Sequence, residues 1–145
     1  MENYTAYTII PDLKLIITYF EGTVTFNDVI KLNMQFISDK LYDSTFNILM
    51  DFRNSTALAY RMDLKEYFEF FKKNISLSKR IRNGIMYRTA NQKFIISMYI
   101  PIAKLMKIDA KEFETLEKYF TWMEFTAEEQ DLIRGKLNSI KNPPV

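Results

Sequence analysis

The chain of 145 residues contains no cysteine and no histidine. Without cysteine it can form no disulfide, no thiolate nucleophile and no thiolate metal site. Without histidine it lacks the commonest general base and the commonest imidazole metal ligand. Ser-His and Cys-His catalytic arrangements are therefore excluded. We predict a protein that is not an enzyme, uses no cofactor and holds no metal, although carboxylate, lysine or tyrosine chemistry stays open.

Glycine, long apolar runs and net charge are scarce as well. Three glycines argue against a glycine-rich phosphate loop. The longest apolar run, 94–103, is interrupted by Ser97 and Pro101 and is shorter than the ~20 residues of a membrane span. The net charge of +2 is too small to indicate a nucleic-acid partner. Because the first four residues lack the features of a signal peptide, we expect a cytoplasmic protein with no membrane span.

The length fits one domain, which at this size buries roughly 70% of its unfolded surface and needs no disulfide or metal. Pro143 and Pro144 cannot continue a helix. We therefore expect a single domain over residues 1–140 and a frayed tail over residues 141–145.

The first part of the chain predicts a hairpin and a helix. Residues 4–10 and 13–21 have strand character and are separated by the turn signal Pro11-Asp12. Thr25, with Asp28 three residues later, resembles a capping box that opens a helix.

The middle of the chain predicts two further strands with a helix between them. Residues 46–52 are apolar and indicate a buried strand parallel to the second one. Residues 54–62 are interpreted as a connection. Asp63 then caps a helix with Glu66, and residues 83–89 form the next strand.

The segment after residue 90 allows two interpretations because Pro101 lies inside it. In the first, which we favour, Asn91 caps a kinked helix. Its inward face would carry Ile95, Met98, Tyr99, Ile102 and Leu105. In the second, a strand over 94–100 is followed by a helix that starts at Pro101, which avoids the cost of proline inside a helix.

The last third predicts a short edge strand over 111–115, a helix over 116–125, and a final helix capped by Thr126 with Glu129. The order is then β-β-α-β-α-β-α-β-α-α. This predicts an α/β fold with a mixed, mainly parallel sheet of about five strands, an N-terminal antiparallel hairpin and four to five flanking helices.

Three segments carry a family resemblance: residues 20–25 (FEGTVT), residues 49–53 (LMDFR) and residues 113–123 (FETLEKYFTWM). Together with the element order, they resemble the STAS-like group, which has the fold of the anti-sigma-factor antagonists. The closest branch contains small stand-alone bacterial proteins grouped with STAS and Sec14-type lipid-binding domains.

The resemblance implies one of two activities. One branch acts by partner switching, in which a kinase phosphorylates a serine at the start of the helix after the central strand. The other branch holds an apolar ligand or a lipid. The family pattern of Asp-Ser followed by small residues is absent here. Ser55 and Thr56 are the hydroxyl residues of this segment, several residues before the predicted helix.

Two features are candidate binding sites. Asp51, Arg53, Asn54 and Ser55, which we call the polar lip, are predicted at the carboxyl end of the central strand, where open α/β sheets tend to bind ligands. The alternative is that Asp51 pairs with Arg53 or caps a loop, while Asn54 and Ser55 satisfy turn backbone. Tyr60 and Phe70 are predicted off the buried helical face, as interface or pocket residues.

The leading hypothesis is a non-enzymatic STAS-like domain that regulates through protein–protein contact, with a homodimer as one expected partner. The alternative is a carrier or sensor of a small apolar ligand, held between sheet and helices around Phe68, Phe71, Ile95 and Tyr99.

Overall fold

The computed structural model describes residues 3–57, 61–74 and 79–141, and for residues 61–63 it describes the backbone alone. Ten regular elements lie in these ranges, with a short 3-10 turn at Pro11–Leu13. The strands are β1 (Tyr4–Ile10), β2 (Leu15–Val24), β3 (Asn47–Ala57), β4 (Ile81–Met86) and β5 (Ile108–Phe113). The helices are α1 (Phe26–Ile37), α2 (Arg61–Asn74), α3 (Ala90–Leu105), α4 (Leu116–Met123) and α5 (Ala127–Lys141).

The five strands form one sheet in the order β1-β2-β3-β4-β5. β1 and β2 are antiparallel, and the other neighbours are parallel. Parallel neighbours arise because a helix returns the chain to the same end of the sheet after each strand. The predicted α/β fold, with its N-terminal hairpin and mainly parallel sheet, is confirmed.

The hydrophobic core lies on both faces of the sheet. Helices α1, α2 and α3 cover one side, the three-helix face, where Phe20 and Ile85 pack in one buried cluster with Val29 and Tyr99. Helices α4 and α5 cover the two-helix face, whose buried cluster is separate. Successive strand residues alternate between the two faces, so both faces of the central strands are apolar.

Two predicted helix caps are confirmed and two are wrong. Thr25 and Asp28 form the predicted capping box of α1, and Thr126 exchanges hydrogen bonds with Glu129 at the start of α5. Asp63, by contrast, lies inside α2, which begins at Arg61. Asn91 lies inside α3, whose capping box is formed by Thr89 with Gln92.

Several strand boundaries also differ from the prediction. β2 ends at Val24 rather than at residue 21, β4 at Met86 rather than at 89, and β5 at Phe113 rather than at 115. β3 extends to Ala57 because residues 54–57 pair with residues 21–24 of β2, although their polar composition indicates a connection. β4 and β5 start earlier than predicted, at Ile81 and Ile108, because these residues pair with each other. At these boundaries, pairing with a neighbouring strand determines where a strand begins or ends, and local composition does not.

Segment 94–105 is helical throughout, so the interpretation as a strand followed by a helix is wrong. Pro101 lies inside α3 on its exposed side, and the capping box and the burial of the opposite side outweigh its lost hydrogen bond. The side turned to the sheet carries Gln92, Ile96, Tyr99 and Ala103. The predicted inward face was therefore wrong in part, since Tyr99 is buried but Leu105 is 78% exposed.

Candidate functional site

Asp51 and Arg53 of the polar lip pair with each other. Arg53 donates from Nε to Oδ1 of Asp51 at 2.9 Å and from Nη2 to Oδ2 at 3.0 Å. The Lys141 ammonium lies 3.3 Å from Oδ2. Asp51 has no exposed surface, and it lies within β3 rather than at its carboxyl end. Lys141, predicted in the frayed tail, is the last residue of α5.

The charge state of Asp51 follows from these contacts. Burial alone would raise the pKa of its carboxyl group. The hydrogen bonds and charge of Arg53, together with the charge of Lys141, outweigh burial and lower this pKa below its usual value. The carboxylate is therefore ionised at neutral pH, and its charge is compensated within the protein.

A β-bulge in β3 joins Asn54 to the same polar region. Tyr19 pairs with Asp51 and Glu21 with Asn54, so β3 contains one extra residue between these two pairs. Asn54 donates to the Tyr19 hydroxyl at 3.0 Å, and that hydroxyl donates to Glu21 at 2.7 Å. Arg88 donates to the amide oxygen of Asn54 at 3.1 Å. These polar groups thus satisfy one another.

Ser55 and Thr56 both lie in β3 and not at the start of a helix. Ser55 is buried, and its hydroxyl donates to the carbonyl of Phe52 at 2.7 Å. Gln92 donates to the carbonyl of Ser55 at 2.6 Å, which ties this part of β3 to α3. Thr56 is exposed. The serine hydroxyl is therefore inaccessible to a kinase in this conformation.

The aromatic candidates are distributed differently. Tyr60 lies outside the described residues. Phe70 is half-buried on α2, while Tyr67 and Phe71 form the buried side of that helix. The structure thus leaves Phe70 partly accessible without bringing it to the polar lip.

An apolar hollow lies within the three-helix face. It has a volume of about 40 Å³ and is lined by Phe26, Val29, Met50, Phe52, Tyr67, Ile85, Ile95, Ile96 and Tyr99. A second hollow of about 30 Å³ shares Phe52, Ile95 and Ile96 with it. Ile95 and Tyr99 are thus where the predicted ligand would sit, whereas Phe68 and Phe71 do not line either hollow. Cavities that hold benzene measure about 150 Å³, so neither admits such a ligand in this conformation.

The outer side of α3 is a feature that the sequence interpretation missed. Phe94 is 64% exposed and Leu105 is 78% exposed. At 100° per residue, Phe94, Met98, Pro101 and Leu105 fall within an arc of about 60°, opposite the side that packs on the sheet. We call these four residues the α3 stripe. Their spacing of four, three and four residues is visible in the sequence. Because the inner side of the helix is apolar as well, this spacing does not show that the outer side is exposed.

Neither a metal centre nor a membrane span is found in the described part of the chain. No group of three or more carboxylates there could hold a metal ion. None of the described helices is both long and apolar enough to cross a membrane.

Comparison with known proteins identifies the fold. The structure is similar to that of an uncharacterised protein of the DUF3478 family from Shewanella loihica, which has a SpoIIAA-like fold. The TM-score is 0.56 at 12% sequence identity, and the match covers 84% of this chain and 95% of that one. The chain therefore has a SpoIIAA-like fold, which is the STAS-like fold expected from the sequence. No protein-family model and no curated protein sequence matches the chain.

Proposed function

We propose that this protein is a non-enzymatic binding domain that docks a protein partner on the outer side of α3. The observation that carries the proposal is the exposure of Phe94 and Leu105 at the two ends of the α3 stripe. They are 11 residues apart, or about 17 Å along the helix axis. This is the spacing of anchor residues on a helix that lies in a partner's groove.

The energetic argument rests on exposed apolar area. Each large apolar side chain contributes about 1.5–3 kcal/mol when it passes from water into a fully apolar contact. A helix that is apolar around most of its circumference is normally covered on all sides. Within the described residues, α3 is covered on its inner side only, because the α3 stripe remains exposed or half-buried.

The charges on α3 indicate the chemistry of the partner. Residues 90–107 contain Lys93, Lys104 and Lys107, all exposed, and no carboxylate. A partner with carboxylates around an apolar groove is complementary to this surface. A symmetric contact between two α3 helices would supply no carboxylate, so we propose a different protein as the partner.

The burial and pairing of Asp51 in the polar lip support a binding role rather than a catalytic one. The carboxylate of Asp51 is fully buried and paired with Arg53 and Lys141, so it is not free to act as a base. The resemblance to STAS-like proteins, one branch of which works by partner contact, agrees with this proposal.

The test is quantitative cross-linking in source cells, followed by calorimetry with the purified partner. The variant is Phe94→Ser with Leu105→Ser. The matched control is Met34→Ser with Leu41→Ser, which removes two other exposed apolar side chains. We expect the α3 variant to bind about a hundredfold more weakly, since about 3 kcal/mol is lost, and the control to bind as wild type. Both variants should melt as wild type.

Two outcomes would contradict the proposal. The first is a partner that binds the α3 variant as tightly as wild type. The second is that no protein partner depends on α3, while wild type sediments with vesicles of anionic phospholipid and the α3 variant does not. That result would assign the face to a membrane surface, which lysines beside an apolar stripe can also bind.

A second candidate function is the binding of a small apolar molecule in the hollow of the three-helix face. The observation that favours this function is the almost entirely apolar lining of that hollow. Entry would require α2 or α3 to move outward, because about 40 Å³ is too small for benzene. Native mass spectrometry of the purified protein tests it. A bound mass that Ile96→Trp abolishes would support this function, and a bare protein mass would count against it.

A further inference from the structure

The outer edge of β5 carries unpaired backbone groups. The carbonyls of Lys107 and Phe113 accept hydrogen bonds from Ile81 and Tyr87 on the β4 side. Because alternate residues of a strand direct their backbone groups to opposite sides, the N–H and C=O groups of Ile108, Ala110 and Glu112 point away from β4. In the described ranges, no hydrogen bond reaches these outward groups. Such an edge is a template for another strand.

An open hollow of about 430 Å³ lies over the carboxyl half of this edge. Its lining residues come from both faces of the sheet, which places the hollow over the edge itself. They are Tyr87, Lys111, Glu112, Phe113, Glu114, Lys118, Thr121 and Trp122. Neither α3 nor α4 therefore closes this part of the edge.

We propose that β5 pairs with β5 of a second copy in an antiparallel arrangement whose two-fold axis passes beside Ala110. Ala110 then faces Ala110 of the second copy in a hydrogen-bonded pair, and Ile108 faces Glu112. This register uses every outward backbone group of the three residues. The two sheets become one continuous sheet of ten strands.

The charges of β5 are complementary in this register. In the proposed arrangement Asp109 lies directly opposite Lys111 of the second copy, and the pair occurs twice by symmetry. Both side chains are exposed. An axis at Asp109, Lys111 or Glu112 would instead place that residue opposite its own copy, and like charges opposite each other are unfavourable. Charged edge strands normally resist pairing, but this order of charges is complementary to its own reversed copy.

The test measures the dimer dissociation constant by sedimentation over a range of concentrations. Asp109→Lys and Lys111→Asp, each alone, should weaken the dimer about tenfold or more, since opposite charges become like charges. The two changes together should restore dissociation to within about threefold of wild type. Ala110→Pro removes an outward N–H without touching the bonds to β4, so it should yield a folded monomer.

Trp122 is the single tryptophan and lines the hollow, so its emission should change with dimerisation in wild type and not in Ala110→Pro. Three results would overturn the proposal. They are a wild-type monomer at every concentration, a dimer that Ala110→Pro leaves intact, and a dimer lost in the Phe94→Ser, Leu105→Ser variant. The last result would place the dimer contact on α3. If the α3 variant stays dimeric, its effect on partner binding tests the proposed function alone.

Discussion

Replacing Asp51 by Asn removes a buried charge and leaves the shape of the side chain unchanged. Arg53 and Lys141 then lose the carboxylate that they share. Breaking a fully buried ion pair by removing one partner costs about 3–5 kcal/mol. The side chains of Arg53 and Lys141 are 16% and 21% exposed, so they can partly recover hydration. We therefore expect a loss near the lower limit, about 3 kcal/mol of the free energy of unfolding.

Urea denaturation at pH 7 measures this loss, with Asp131→Asn as the control because Asp131 is an exposed carboxylate of α5. The control should change the free energy of unfolding by no more than about 0.5 kcal/mol. The double variant Asp51→Leu, Arg53→Leu should be more stable than either single leucine variant, since it leaves neither member of the pair alone. A loss below about 1 kcal/mol for Asp51→Asn would refute the assignment of a shared buried charge.

The pH dependence has a definite sign. The pKa of Asp51 is lowered in the folded state, so the unfolded chain binds its proton at higher pH. The stabilisation is then complete above about pH 5 and is lost as the pH falls through the lowered folded-state value. The difference in stability between wild type and Asp51→Asn should be constant from about pH 5 to 8 and should shrink below about pH 4.

Two further predictions concern buried hydroxyl groups. Tyr119→Phe should raise the free energy of unfolding by about 1 kcal/mol, because the Tyr119 hydroxyl is buried with no hydrogen-bond partner in the described part of the protein; a loss of stability in urea denaturation would contradict this. Ser55→Asp should cost about 3 kcal/mol or more because it buries a charge, whereas Thr56→Asp, at an exposed position, should stay within about 0.5 kcal/mol of wild type. Equal thermal melting of the two aspartate variants would argue that Ser55 is open to phosphorylation.

The order of strands and helices could be predicted because it rests on local signals. The turn at Pro11-Asp12 and the capping residues Thr25 and Asp28 act within a few residues of chain. Residues 53–57 could not be assigned to a strand in this way. They are polar, and what holds 54–57 in β3 is pairing with β2, more than thirty residues away along the chain.

The polar lip was predictable in part. The pairing of Asp51 with Arg53 joins residues two positions apart, so the sequence allows it as one of several interpretations of Asp51. The contact with Lys141 joins residues 90 positions apart, and no periodicity contains that information. The exposure of the outer side of α3 could not be predicted for another reason. When both sides of a helix are apolar, the periodic pattern does not indicate which side faces inward.

Charged side chains are normally exposed and large apolar side chains are normally buried. Asp51 departs from this rule as a buried charge, and Leu105 departs from it as an exposed apolar side chain. Asp51 is compensated by two cations within the chain. In the described part of the molecule Leu105 and Phe94 have no such compensation. Natural sequences break the rules of burial mainly at functional sites and offset the cost elsewhere. Where the offset is inside the chain, as it is for Asp51, the irregularity is structural. This contrast supports the proposal that a partner docks on α3 rather than on the polar lip.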